Sequence, residues 1–160
     1  MTSIRLRTTA AALAVAALGG TVVATTAASA APASGARTIS FTEHEISDKT
    51  FNLGSGHGFG IGYVELASNK LMQGGKQIGH DGLSFTVTRL STHSADQMCS
   101  AVEVLAGGQI DLSGLVTSTP SGPGTFRLAV TGGTGVYRNA RGYATVVPSN
   151  SPKFTIHLSR

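Results

Sequence analysis

Two carboxylates close together, Glu43 and Glu45, have the plainest capacity for chemistry in this chain. They fall in the run Ile39-Ser40-Phe41-Thr42-Glu43-His44-Glu45-Ile46, where Ile39, Phe41, Glu43 and Glu45 occupy alternate positions and share one face of a strand. If that face lines a cavity, Glu45 stands in an apolar wall. Desolvation would then raise its pKa and suit it to proton transfer or to stabilising a delocalised cation. The other reading leaves Glu43 and Glu45 past the end of the strand, in solvent.

Other constellations point to less. His44, His57, His80, His93 and His157 show no pair at metal-ligand spacing, so no metal site is expected. No Gly-x-Ser-x-Gly elbow occurs. Cys99 is the single cysteine; it has no internal disulfide partner and reads as an inert buried thiol. Arg138 and Arg141 could meet an anionic substrate or bond loop carbonyls, and the structural role is the expected one.

The run Val130-Thr131-Gly132-Gly133-Thr134-Gly135 resembles a nucleotide phosphate loop. That motif needs a helix of several turns and then a parallel strand ending in an acidic residue. Only residues 136–141 separate the loop from Gly142, and no Asp or Glu follows Asp111. A turn between two strands is expected instead, with Gly132, Gly133, Gly135 and Gly142 serving backbone angles that side chains forbid.

The elements that must position these groups are strands. Charged residues are 12% of the chain, glycine is abundant, and tryptophan is absent. Short runs rich in Val, Ile, Thr and Phe alternate with glycine pairs, which is the pattern of an all-β sandwich or barrel. Strands are expected over residues 37–46, 59–66, 83–90, 97–105, 109–117, 126–131, 143–147 and 153–159. Residues 69–73 and 76–79 form a hairpin turning at Gly74-Gly75, a second hairpin turns at Gly107-Gly108, and residues 47–58 form a loop. Closing eight or nine such strands into a barrel abolishes the sheet edges and leaves room for side chains or one small ligand.

Residues 1–30 read as a signal peptide. Arg5 and Arg7 precede an apolar stretch, and Ala28-Ser29-Ala30 fits cleavage after Ala30, so a secreted protein is expected. No permanent membrane span is expected, because Gly19-Gly20 interrupts the apolar stretch. A flexible lead over residues 31–38 would join the signal to a single barrel domain over residues 39–160. Without Arg5 and Arg7 the net charge is only about +2, with no basic cluster, which gives no support for a nucleic-acid partner.

Three stretches carry a family resemblance. Phe126 to Tyr137 with Ala140-Arg141-Gly142-Tyr143-Ala144 is similar to the C-terminal signature of the allene oxide cyclase and dirigent barrel superfamily. Ser68-Asn69-Lys70-Leu71, followed by Gly74, Lys76, Ile78-Gly79 and Gly82-Leu83, resembles a hairpin of allene oxide cyclases. Glu45-Ile46 resembles their Glu-Ile, and His44-Glu45-Ile46 the His-Asp-Ile of dirigent proteins.

The resemblance implies an eight-stranded antiparallel up-and-down β-barrel with an apolar cavity, a homotrimer, and no cofactor. It implies catalysis by shape control, with Glu45 as the catalytic glutamate and Asn69 lining the pocket; a turn asparagine is the plainer reading of Asn69. The expected binding set is Phe41, Ser47, Phe59, Asn69, Ser84 and Phe85. Ser47 stands where the family has Asn, Ser84 where it has a pocket cysteine, and Leu53-Gly54 near its Ser-Pro pair. These departures put the plant oxylipin reaction in doubt. The expected function is a cofactor-independent cyclase or isomerase steering ring closure of a small hydrophobic, lipid- or polyketide-like intermediate. The alternative is a non-catalytic ligand-binding or interaction barrel.

Overall fold

The computed structural model describes residues 37–54 and 58–159. The expected signal peptide, most of the expected lead, and His57 lie outside the described residues. The alternation of apolar and small residues resolves into nine strands: β1 (Arg37–Asn52), β2 (Tyr63–Gln73), β3 (Lys76–Leu90), β4 (Ala95–Leu105), β5 (Gly108–Thr119), β6 (Gly122–Pro123), β7 (Phe126–Gly133), β8 (Arg141–Val147) and β9 (Lys153–Ser159). Every ladder is antiparallel, and β1 pairs with both β2 and β9. The chain therefore closes as an eight-stranded up-and-down barrel, with the two-residue β6 an appendage on β5. Among the described residues no helix is long and apolar enough to cross a membrane.

The two ends of the barrel differ. At one end lie the tight β2–β3 and β4–β5 turns and the short 3-10 turn Gly135–Tyr137. Tyr137 is buried there, and the Arg37 guanidinium lies 5.5 Å from its ring centroid. Leu71, Ile110, Val130 and Ile156 fill the interior above it. At the other end lie the longer connections β3–β4, β5–β7 and β8–β9, and Pro123, Pro148, Ser149, Asn150 and Pro152 border an opening.

The glycine signature builds the closed end and not a phosphate loop. Gly135 has φ of 58°, and Val136 N–H donates to the Gly107 carbonyl, which ties the 3-10 turn to the β4–β5 turn. Arg141 Nη1 donates to the carbonyls of Ala140 and Thr131.

Three expectations about the strands need correction. β1 begins at Arg37 and runs to Asn52, because the polar stretch after Ser47 pairs with the start of β2 where a loop was expected. The register slips between Glu45 and Ser47, so Ile46 sits in a bulge. Residues 59–62 are turn rather than strand, and β2 starts at Tyr63.

Gly142 has φ of 136°, and a Cβ there would collide with the His157 carbonyl oxygen on β9. Gly142→Ala should lower stability by at least about 1–3 kcal/mol, the range for a residue forced into a sparsely populated backbone conformation. Urea unfolding checks this: the midpoint should fall with an unchanged slope.

Candidate functional site

Directly opposed residues in a ladder share a face, and one such row crosses four strands. Glu45 on β1 faces Asn69 on β2, Asn69 faces Asp81 on β3, and Asp81 faces Glu103 on β4. Asn69, Asp81 and Glu103 are buried inside the barrel, and Glu43 lies two residues deeper than Glu45 on the same face. Ligand oxygens of Glu43, Asp81 and Glu103 all lie within 4.8 Å of one another. Glu103 is 0% exposed, and neither of its carboxyl oxygens has a hydrogen-bond partner.

Three carboxyls so close together, out of water, cannot all be ionised. Desolvation, then the neighbouring Asp81, pushes Glu43 up to about 10. The same two causes push Glu103 up to about 8. Asp81 is also raised by desolvation, but hydrogen bonds from Glu43 and Asn69 oppose the rise. Asn69 donates both its backbone N–H and its Nδ2 to Asp81 Oδ1, each at 3.0 Å. Asp81 is thus the member best equipped to carry charge, and Glu43 the member that holds a proton toward it. Burial, then Glu43 and Glu103, pushes the Cys99 thiol to about 12, so it is inert as a nucleophile.

Above this cluster lies a cavity of about 270 Å³ that opens at the mouth. Glu43 and Asn69 form its polar floor, and Leu83, Phe85, Phe126 and Phe154 its apolar wall. Glu45 and Glu65 stand in the upper wall, with the exposed Ser149 and Asn150 at the rim. Desolvation, then Asp48 and Glu45, raises Glu65.

The structure brings together Glu45, Asn69 and Phe85 of the expected site at the cavity. Phe41 is in the core below, stacked on Phe154 with centroids 5.4 Å apart. Three others are elsewhere. The bulge at Ile46 reverses the alternation, so Ser47 pairs with Ser68 on the outer face. Ser84 alternates with the inward Leu83 and Phe85 and also points outward. Phe59 is 53% exposed, packs on Tyr63, and lines a separate surface depression with Leu90 and His93.

Asp81 and Glu103 are functional candidates absent from the sequence reading. Asp81 shares the face of Leu83 and Phe85, and Glu103 lies four residues beyond Cys99, so both were within reach of strict alternation. Val102 and Val104 masked Glu103 by imitating the buried face; Val102 is 37% exposed.

A raised carboxyl pKa makes stability fall with pH. The native state keeps protons that the unfolded chain has released, so the stabilisation is full below about 4.5 and is lost as pH rises toward about 8 for Glu103 and about 10 for Glu43. Unfolding free energy measured by urea should therefore decline between about pH 5 and 8, by up to about 1.4 kcal/mol per pH unit for each such carboxyl. Glu103→Gln, whose amide has no proton to lose, should flatten the decline. A level or rising wild-type profile would exclude a protonated cluster.

No family model matches the sequence, and no curated protein matches it. Solved structures do. A pyocyanin demethylase superposes with a TM-score of 0.68 at 27% identity, covering 77% of this chain and 100% of that one. A pterocarpan synthase dirigent protein gives 0.58 at 15%, covering 79% and 97%. A Diels–Alderase from Streptomyces koyangensis gives 0.59 at 14%, covering 79% and 70%. With eight antiparallel strands closed in chain order around an internal cavity, this chain shares the barrel fold of the dirigent protein and the Diels–Alderase, as its glycine signature led us to expect.

Proposed function

We propose that the chain is an exported barrel that binds one small hydrophobic molecule and, without a cofactor, promotes its isomerisation or ring closure by proton transfer. The observation that carries this reading is Glu43, a protonated carboxyl exposed to an apolar cavity and backed by Asp81. An acid in that position can protonate or hydrogen-bond a heteroatom of the guest. The proton leaves Glu43 for the guest, and the carboxylate so formed, with Asp81 steadied by Asn69, then faces the positive charge gained by the guest. The phenylalanine wall restricts the guest to few orientations, which lowers the entropic part of a unimolecular barrier.

Glu45 keeps a role at the rim, steadying positive charge that develops higher in the cavity. The similarity to a pyocyanin demethylase over that protein's whole length favours a polycyclic aromatic guest, and makes pyocyanin the first compound to offer. Arg5, Arg7 and the apolar stretch after them support export. Exposed Leu66, Met98, Val102 and Leu115 on the outer face of β2–β5 support association of barrels, with a trimer as the proposed state.

Native mass spectrometry of the protein secreted by its own host should show a co-purifying hydrophobic molecule on a trimer. A bare monomer would overturn both the ligand and the assembly. With the molecule so identified, or pyocyanin, as substrate, Glu43→Gln should cut kcat by about 10²–10⁴-fold, the usual worth of a positioned acid. A barrel that merely carries its ligand would show no turnover before or after the substitution.

A further inference from the structure

The distribution of charge specifies the guest more narrowly than the shape does. Of the eight carboxylates in the chain, Glu43, Glu45 and Glu65 line the cavity and Asp81 and Glu103 lie in the cluster at its floor. None of the described residues lining it is Lys, Arg or His. On the outer face, the Arg127 guanidinium of β7 lies over the Tyr143 ring, and His157 of β9 stacks on the same tyrosine. An anionic guest, such as a fatty-acid carboxylate, would find no cationic side chain among the described lining residues and would stand near Glu45, Glu65 and the charge-bearing Asp81. Phe85, Phe126 and Phe154 present ring surfaces, which attract cations through their quadrupoles.

We infer that this cavity takes a hydrophobic organic cation, seated against the phenylalanines with its charge over the carboxyl floor, and that its binding expels a proton from that floor. The inference rests on the reading of the cavity as a small-molecule site. The proton has an identifiable origin. Facing the floor are Glu43, with Glu45 and Asp48 higher on β1; Glu65 and the neutral Asn69 on β2; Asp81 on β3; and Cys99 and Glu103 on β4. His80, on the outer side of β3, acts weakly on Asp81. The strands β7, β8 and β9 contribute Phe126, Val146 and Phe154, which do not titrate. A cation placed among these groups favours their ionised forms, so the most easily released proton leaves for solvent and the carboxylate pairs with the guest. Affinity for the cation therefore rises with pH across the neutral range.

The test is titration calorimetry of the wild-type barrel, near neutral pH, with three compounds built on one tricyclic frame: N-methylphenazinium, phenazine and phenazine-1-carboxylate. The cation should bind about tenfold or more tighter than neutral phenazine, a difference of about 1.4 kcal/mol. The carboxylate should bind weakest. Repeating the cation titration in phosphate and in Tris, whose ionisation heats differ, should reveal proton release that phenazine lacks. In Glu43→Gln the advantage of the cation over phenazine should shrink. Equal affinities across the series, tightest binding of the carboxylate, or an identical cation heat in both buffers overturns the inference and leaves the cavity reading in place. Failure of all three compounds to bind also overturns it, and the cavity reading is then decided by whether the host-secreted protein carries a ligand.

Discussion

The constraint on which this structure turns is electrostatic crowding. Glu43, Asp81 and Glu103 are within 4.8 Å of one another, buried, and without a cation beside them among the described residues. Ionising all three would set like charges against each other in a medium that screens them poorly. The barrel resolves this by keeping protons where solvent would not. Asn69 breaks the symmetry: its two N–H donors converge on one oxygen of Asp81 and single out that carboxyl to bear charge. An asparagine at a position where a turn residue was one plausible reading is thus the selector of the protonation pattern.

The rest of the fold serves that cluster by division of labour along the barrel axis. The lower half is an ordinary core, with Leu71, Ile110 and Ile156 fully enclosed. The upper half trades packing for space and gathers acids. A fully packed interior would stabilise the chain more, since each buried acid carries a desolvation cost. Retaining three of them beneath a cavity is the kind of local conflict that functional sites preserve and that the surrounding ladders must over-determine.

Much of this was legible from alternation alone. The strands from Gln97 onward, the hairpin at Gly74-Gly75, the buried Cys99 and the barrel architecture follow from period and turn chemistry. What escaped has two physical causes. The bulge at Ile46 adds one residue to β1, and a single inserted residue inverts every later side chain, which carried Ser47 outward. No local propensity announces that insertion, because it is settled by pairing with β2. The second cause is composition: Val102 and Val104 look like core and Glu103 like surface, yet the inward set of β4 is fixed by Ala95, Cys99 and Ala101. Tertiary closure overrode hydrophobicity at that strand. Phe59 was misplaced for a related reason, since its alternation with glycines belongs to a turn and not to the strand it imitates.

The stopper formed by Tyr137 and the tied turns beneath it has a kinetic corollary. Among the described residues the tube is plugged at its base and opens at its mouth, so on the proposed reading whatever enters must retreat along its own path before a successor can arrive. On the proposed reading the vestibule therefore holds one guest at a time, and a spent guest that lingers excludes its replacement by simple occupancy. On the same reading, residence time would be set at the rim, chiefly by the loop bearing Ser149 and Asn150, apart from the acids below. Turnover and selectivity can thus be tuned at opposite ends of the same lumen.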